Sequence, residues 1–226
     1  MRTLDAKHYL ISLSLRRDRV PSFAEYPYCL PVVRNLSKIE FHPNVTFIVG
    51  ENGTGKSTLL EAIAVAWGFN AEGGTKNFNF STRASHSPLH GVLALGKGLN
   101  RPRDGFFLRA ESFFNVATEI ERLDAEPASA PPIIDSYGGR SLHEQSHGEA
   151  FFALAANRFG GNGLYLLDEP EAALSPSRQL ALLARFHQLV QADSQFIIAT
   201  HSPILMAYPR SSIFLLTEGA LSLIHI

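Results

Sequence analysis

The stretch GENGTGKST, residues 50–58, most narrowly limits what this chain can become. It follows a short, nearly continuous apolar run, residues 45–49, of the kind that forms a strand buried on both faces of a sheet. Residues 56–67 after it carry apolar side chains at helical spacing. Strand, glycine-rich turn and helix in that order form a loop whose backbone N–H groups converge on one point. The glycines at 50, 53 and 55 permit the backbone angles that aim those groups inward, and the helix adds its partial positive end. Such a loop is built for phosphate. A glycine turn with an incidental lysine is the alternative, and the flanking strand and helix argue against it.

The rest of the chain must supply a sheet for that loop. With 226 residues and 45% hydrophobic side chains, 16 of them Phe, one sizeable α/β core is within reach. Residues 8–15 alternate like a strand, a proline-punctuated stretch follows, and residues 70–105 read as an irregular insertion. A strand near 105–109 leads to a helix from about Ser112, then to a loop closed by prolines. A helix over 148–158, an apolar strand over 164–169, an amphipathic helix over 175–193 and a buried strand over 195–202 complete the pattern. A hairpin around Glu218 and Gly219 closes it. This alternation predicts an α/β fold with a mostly parallel central sheet, helices on both faces and antiparallel strands at the N-terminus. One domain is expected over 1–220, with a short helical region over 111–145. The last six residues, LSLIHI, match a translated transposase-adapter sequence, so the native chain is expected to continue differently after about Ala220.

Composition excludes several classes. Charged residues are 18% and the net charge is −1, which gives no bulk attraction to nucleic acid or anionic membrane. A single cysteine, Cys29, allows no internal disulfide and suits a reducing compartment. The first residues lack signal-peptide features, and no apolar run reaches the roughly 18 residues that span a bilayer. A soluble, cytoplasmic protein without membrane insertion is expected.

Gly50-x-x-x-x-Gly55-Lys56-Ser57 is a complete Walker A pattern. Residues Gly50, Glu51, Asn52, Gly53, Thr54, Gly55, Lys56, Ser57 and Thr58 are the expected triphosphate cradle. Lys56 would reach the β- and γ-phosphates, and the Ser57 hydroxyl would ligate Mg2+. The strand over 164–169 ends in Asp168-Glu169, two carboxylates at the strand end where ligands of such sheets bind. Asp168 would hold Mg2+ through its water shell, and Glu169 would act as general base on the attacking water. Asp and Pro here also suit a plain strand-to-turn transition. His201 ends the next buried strand, 33 positions after Asp168, within reach of the same water. Ser146, His147, Gly148 and Glu149 stand at a helix start. They read equally as an ordinary capping box, and both can hold because a cap and an anion site use the same N–H groups.

With these four elements in this order, the chain resembles ABC-type ATPases. Ser146-His147-Gly148-Glu149 is similar to the family signature Ser-Gly-Gly-Gln/Glu, and His201 matches its switch histidine. DEPEAALSP and ATHSPIL are more similar to soluble SMC/RecF-like and AAA-family ATPases than to transporter subunits. The resemblance implies that two copies sandwich ATP, the signature of one copy acting on the nucleotide of the other, with Ser175 in the loop crossing between them. It also implies that hydrolysis drives an effector protein. Two departures stand out. The glutamine usual between Walker A and the signature is missing, with Arg109 or Glu111 nearest its place. Only 90 positions separate Lys56 from Ser146, too few for a long coiled coil. Tyr26 and Tyr28 precede the loop where the family places an adenine-stacking aromatic, although packing beside the prolines explains them as well.

Three uses of ATP follow: a stand-alone dimeric ATPase, a transporter subunit, or a DNA repair or defence-associated ATPase. The missing glutamine counts against the second. The third has only Arg16, Arg17, Arg19 and the run Lys97, Arg101, Arg103, Arg109 in its favour. Two adjacent carboxylates argue against a simple kinase, which needs an acceptor site instead of a water-activating base.

Overall fold

In the computed structural model, residues 8–75, 87–109, 113–126, 131–172, 174–217 and 221–224 are described. The chain begins with β1 (Leu10–Leu15), α1 (Pro31–Arg34), β2 (Lys38–Glu40), β3 (Val45–Gly50) and α2 (Lys56–Trp67). It continues through β4 (Leu93–Lys97), β5 (Asp104–Arg109), α3 (Phe113–Asp124), α4 (His147–Ala153) and β6 (Gly163–Asp168). α5 (Pro176–Gln191), β7 (Gln195–Ala199), α6 (Pro203–Met206), β8 (Ser212–Leu216) and β9 (Leu221–Ile224) complete it.

The central sheet has the order β5-β6-β7-β3-β8-β9, parallel throughout except for the β8–β9 pair. Its inner strands are buried on both faces because their alternating side chains feed two cores. Tyr165, Leu167, Phe196 and Ile198 point to one face and pack with Leu182 and Phe186 of α5. Leu164, Leu166, Ile197 and Ile48 point to the other and pack with Leu59, Leu60 and Ile63 of α2. On the first face Phe159, Tyr165, Phe196 and Phe186 form a continuous aromatic run with centroid separations of 4.4, 5.1 and 4.6 Å. Nearly continuous apolar strands thus become the middle of a three-layer α/β fold.

A second, antiparallel sheet, β2-β1-β4, covers the α2 face. Gln195 fastens it to the central sheet. Its buried amide oxygen accepts the N–H groups of Tyr9 (3.2 Å) and Leu10 (2.9 Å), while its nitrogen donates to Leu10 O (2.8 Å) and His42 O (3.0 Å). All four bonds of one buried side chain are made, so this polar group stabilises the junction instead of costing it.

Two expectations need amending, and one stretch left without a reading gains structure. The stretch 70–105 is not irregular throughout, because Leu93–Lys97 is a strand paired along β1. The proline-punctuated stretch also carries regular structure, since Pro31 opens α1 at the position where its missing N–H costs nothing. The helix expected over 148–158 is α up to Ala153 and then a π-turn over Leu154–Arg158. Glu218 and Gly219, the expected hairpin turn, lie outside the described residues, as do 225–226 of the LSLIHI segment. Leu221–Ile224 pairs antiparallel with β8.

Candidate functional site

Parallel registry brings the predicted residues to one edge of the sheet. Asp168 pairs with Arg109 on one side and Ala199 on the other, and Ala199 pairs with Ile48 just before the glycine loop. The carboxyl ends of β3, β5, β6 and β7 therefore meet, which is where ligands of such sheets bind.

The loop after β3 depends on close backbone approach. A Cβ on Gly50 would stand 2.6 Å from Leu216 O. Gly55 has φ +94° and forms the N-cap of α2, a conformation that side chains disfavour. Lys56 opens the helix, is buried, and its Nζ donates to the carbonyls of Gly50 and Glu51, both at 2.9 Å. Burial pushes its pKa below the ordinary lysine value, against the pull of the Glu169, Asp168 and Glu171 carboxylates. The ammonium thus sits over the loop, close to the acids, where the negative charge of a polyphosphate would offset its desolvation.

Ser57, the next residue, donates from Oγ to Asp168 Oδ1 at 3.1 Å. Among the described residues no group of three or more His, Cys, Asp or Glu side chains is arranged to hold a metal. A hydroxyl beside one carboxylate nevertheless fits Mg2+, which retains waters and takes substrate phosphates as its remaining ligands.

Glu169 follows at the mouth of the strand with φ 49°, left-handed backbone that costs a non-glycine residue about 1 kcal/mol. Its N–H is held by Ala199 O at 2.9 Å. The strained turn leaves the side chain 38% exposed, with Oε1 at 3.4 Å from His201 Nε2. Sequence reasoning assigned no task to Glu171. Its Oε1 accepts from Thr200 Oγ1 (2.6 Å) and from the backbone N–H groups of His201 (2.6 Å) and Ser202 (3.2 Å). Only the pairing of β6 with β7 brings these segments together, so no local pattern announces the contact.

The space in front of the loop is a cleft of about 290 Å3, lined by Tyr26, Leu30, Asn52, Gly53, Gly55, Lys56, Ser57, Thr58 and Glu169. The two candidate tyrosines separate here. Tyr28 is buried in the α2-side core, whereas Tyr26 is 65% exposed and its hydroxyl lies 3.3 Å from Thr58 Oγ1. An adjoining cavity of about 330 Å3 is bounded by Tyr26, Ser57, Thr58, Glu61, Ser87, Pro88 and Arg109. In it Arg109 Nη1 donates to Glu61 Oε2 at 2.6 Å, and Ser87 N donates to Glu61 Oε1 at 3.0 Å. Where the glutamine is missing, an arginine ties the end of β5 to the loop helix. Glu111 lies outside the described residues.

Ser146 is the N-cap of α4, and its reciprocal bonds with Glu149 complete a capping box: Glu149 N to Ser146 Oγ at 3.4 Å, Ser146 N to Glu149 Oε2 at 3.1 Å. The Ser146 hydroxyl and amide, with the Arg178 guanidinium at 3.3 Å, hold the Glu149 carboxyl below its usual range. His147 and Gly148 form the first turn of the helix, the His147 side chain lying outside the described residues. Ser175 caps α5 three residues before Arg178. The starts of α4 and α5 are therefore joined by the Arg178–Glu149 pair.

Two family models match in chain order. Residues 25–101 match an AAA domain, and residues 134–207 match an AAA domain whose description names the AbiEii toxin of a Type IV TA system. A search of curated protein sequences finds no significant match. Among solved structures the chain is similar to MJ1267, an ATP-binding cassette of an ABC transporter, with 15% identity and a TM-score of 0.59 over 96% of this chain and 90% of that one. It is also similar to a nucleotide-free ATP-binding cassette from an ABC transporter, with 17% identity and a TM-score of 0.51 over 95% and 90%. An SMC head bound to the C-terminal winged-helix domain of ScpA gives 15% identity and a TM-score of 0.50 over 96% and 98%. At these identities the likeness concerns the fold: the chain has the fold of an ABC-type P-loop ATPase, SMC-head-like in extent. Among the described residues no helix is long and apolar enough to cross a membrane.

Proposed function

We propose that this protein binds ATP with Mg2+ and hydrolyses it to ADP and phosphate, two copies closing on the nucleotide and driving a change in an effector protein. The observation that carries this reading is Glu169, which lines the same cleft as Lys56 and has His201 3.4 Å away. Lys56 exchanges its two loop carbonyls for β- and γ-phosphate oxygens. Glu169 accepts a proton from the attacking water, and His201 holds Glu169 and the γ-phosphate side in register. Ser57 and Asp168 are the residues that would hold Mg2+, which when bound would supply positive charge to the phosphate oxygens. The adenine ring would lie against Tyr26.

In this reading a second copy supplies half of the site. Ser146, Gly148 and Glu149 lie at a separate helix start with Ser146 and Glu149 exposed, which suits action across an interface between two copies. Purified protein should release phosphate from ATP only with Mg2+, and its mass in solution should double when turnover is blocked. A monomer that hydrolyses at full rate would contradict the shared site.

A second reading, an ATPase tied to nucleic acid or to defence, draws on the toxin named for the 134–207 match and on the SMC-head-like extent of the fold. The basic run gives it less support. Lys97 lies over the Trp67 ring at 4.6 Å and Arg109 is paired with Glu61, so two of its four cations are engaged within the chain. A transporter subunit is disfavoured by the same Arg109–Glu61 pair in place of a glutamine. The cytoplasm is the compartment proposed for all three.

A further inference from the structure

We propose that Glu171 is a positioning residue: it fixes the 200–202 loop so that His201 faces Glu169. This rests on the ATP-hydrolysing reading of the site. Three donors converge on one carboxylate oxygen, from the Thr200 hydroxyl, the His201 amide and the Ser202 amide. The other oxygen, Oε2, is buried and meets no donor among the described residues. The hydrogen bonds of the Glu171 side chain are therefore directed at the loop that carries His201.

The surroundings make the loop a fixed platform. Thr200 is fully buried and its N–H is held by Ile48 O at 3.2 Å, beside the start of the glycine loop. Ser202 Oγ donates to Gln179 Oε1 of α5 at 2.6 Å. On the facing turn, Glu169 is held by Ala199 O, and Ala172 N bonds back to Glu169 O at 3.1 Å. Glu171 joins this turn to the other, so the Glu169 and His201 backbones cannot drift independently. Charge-assisted bonds to a carboxylate are stronger than neutral ones, which suits a strut that must hold at the moment of reaction.

The prediction is conditional: Glu171 matters through His201. In the full-length protein E171A should lower kcat by about 10- to 100-fold, as expected for misplaced reacting groups, with ATP affinity within about twofold of wild type. In an H201A background the same substitution should add less than about twofold. E171Q keeps an oxygen acceptor and should lose less than E171A. Multiplicative losses in the double variant, a fall in ATP affinity equal to the fall in kcat, or an unchanged kcat would each overturn the assignment. The His201 amide and ring resonances supply a readout independent of turnover: they should move in E171A far more than in E171Q. An inactive wild type would sink the hydrolysis reading, and those resonances would still decide the positioning. If E171A fails to fold, T200V removes one donor of the same network and should shift the His201 resonances in the same sense; unshifted resonances would overturn the proposal.

Discussion

The Ser57 hydroxyl donates to Asp168 Oδ1 at 3.1 Å although 111 positions of chain separate the two residues. One follows β3 and the other ends β6, with β7 between the two strands. The contact exists because parallel strands deliver their carboxyl ends to one edge. If this pair holds Mg2+, D168N preserves shape and removes the charge. Metal-dependent ATP affinity should then fall by about 10- to 100-fold. Calorimetric titration with Mg2+ and with EDTA checks this, and a D168N protein as responsive to Mg2+ as wild type would remove Asp168 from the metal site.

The two tyrosines should behave differently although they are two positions apart. Y26A removes an exposed ring at the cleft and should weaken ATP binding by about fivefold, the loss of about 1 kcal/mol of stacking, with the melting temperature unchanged. Y28A removes a buried ring and should cost about 3 kcal/mol of stability. Nucleotide titration and denaturant unfolding of both variants separate the roles; equal nucleotide affinity in Y26A and wild type would take Tyr26 out of the adenine site.

Gln195 predicts a purely structural effect. Q195L leaves the N–H groups of Tyr9 and Leu10 and the carbonyls of Leu10 and His42 without their partner in a buried seam. The cost should be about 3 kcal/mol. Urea unfolding measures it, and a change below about 1 kcal/mol would mean that water or repacking replaces the amide.

Asp104 predicts acid sensitivity at the opposite edge of the sheet. Burial alone would raise its pKa, but the Tyr165 hydroxyl (2.7 Å) and the Arg158 guanidinium (2.9 and 3.0 Å) outweigh it and hold the carboxyl below its usual value. A depressed folded pKa means that the unfolded chain binds the proton more tightly. This contribution is complete above about pH 4 and is lost as pH falls through the lower, folded value. D104N should flatten stability against pH in that acid window and leave the neutral range parallel to wild type. Unfolding series at several pH values test it; identical acid slopes would assign the sensitivity to other groups.

Much of this could be read from residue order, because loop, strand ends and helices are local patterns. GENGTGKST, the acids at the end of β6 and the histidine after β7 each follow a short apolar run that reads as a buried strand. What escaped was short or made by distant contact. β4 spans five residues and includes Gly96, where a side chain would run into Ser12 of β1. α1 and β2, at four and three residues, are too short for any period to show. Tyr26 and Tyr28 differ only in tertiary packing, and the tie from Arg109 to Glu61 spans 48 positions. Glu171 was visible in DEPE but had no legible task until β7 brought Thr200 and His201 beside it.

The most direct test of the central claim is single-turnover ATP hydrolysis by E169Q. The glutamine keeps the size of Glu169 and cannot take a proton from water. ATP should bind within about twofold of wild type, the chemical step should slow by at least about 100-fold, and the protein should accumulate as an ATP-bound dimer. Hydrolysis at the wild-type rate in E169Q would show that Glu169 is not the base and that the account of this site is wrong.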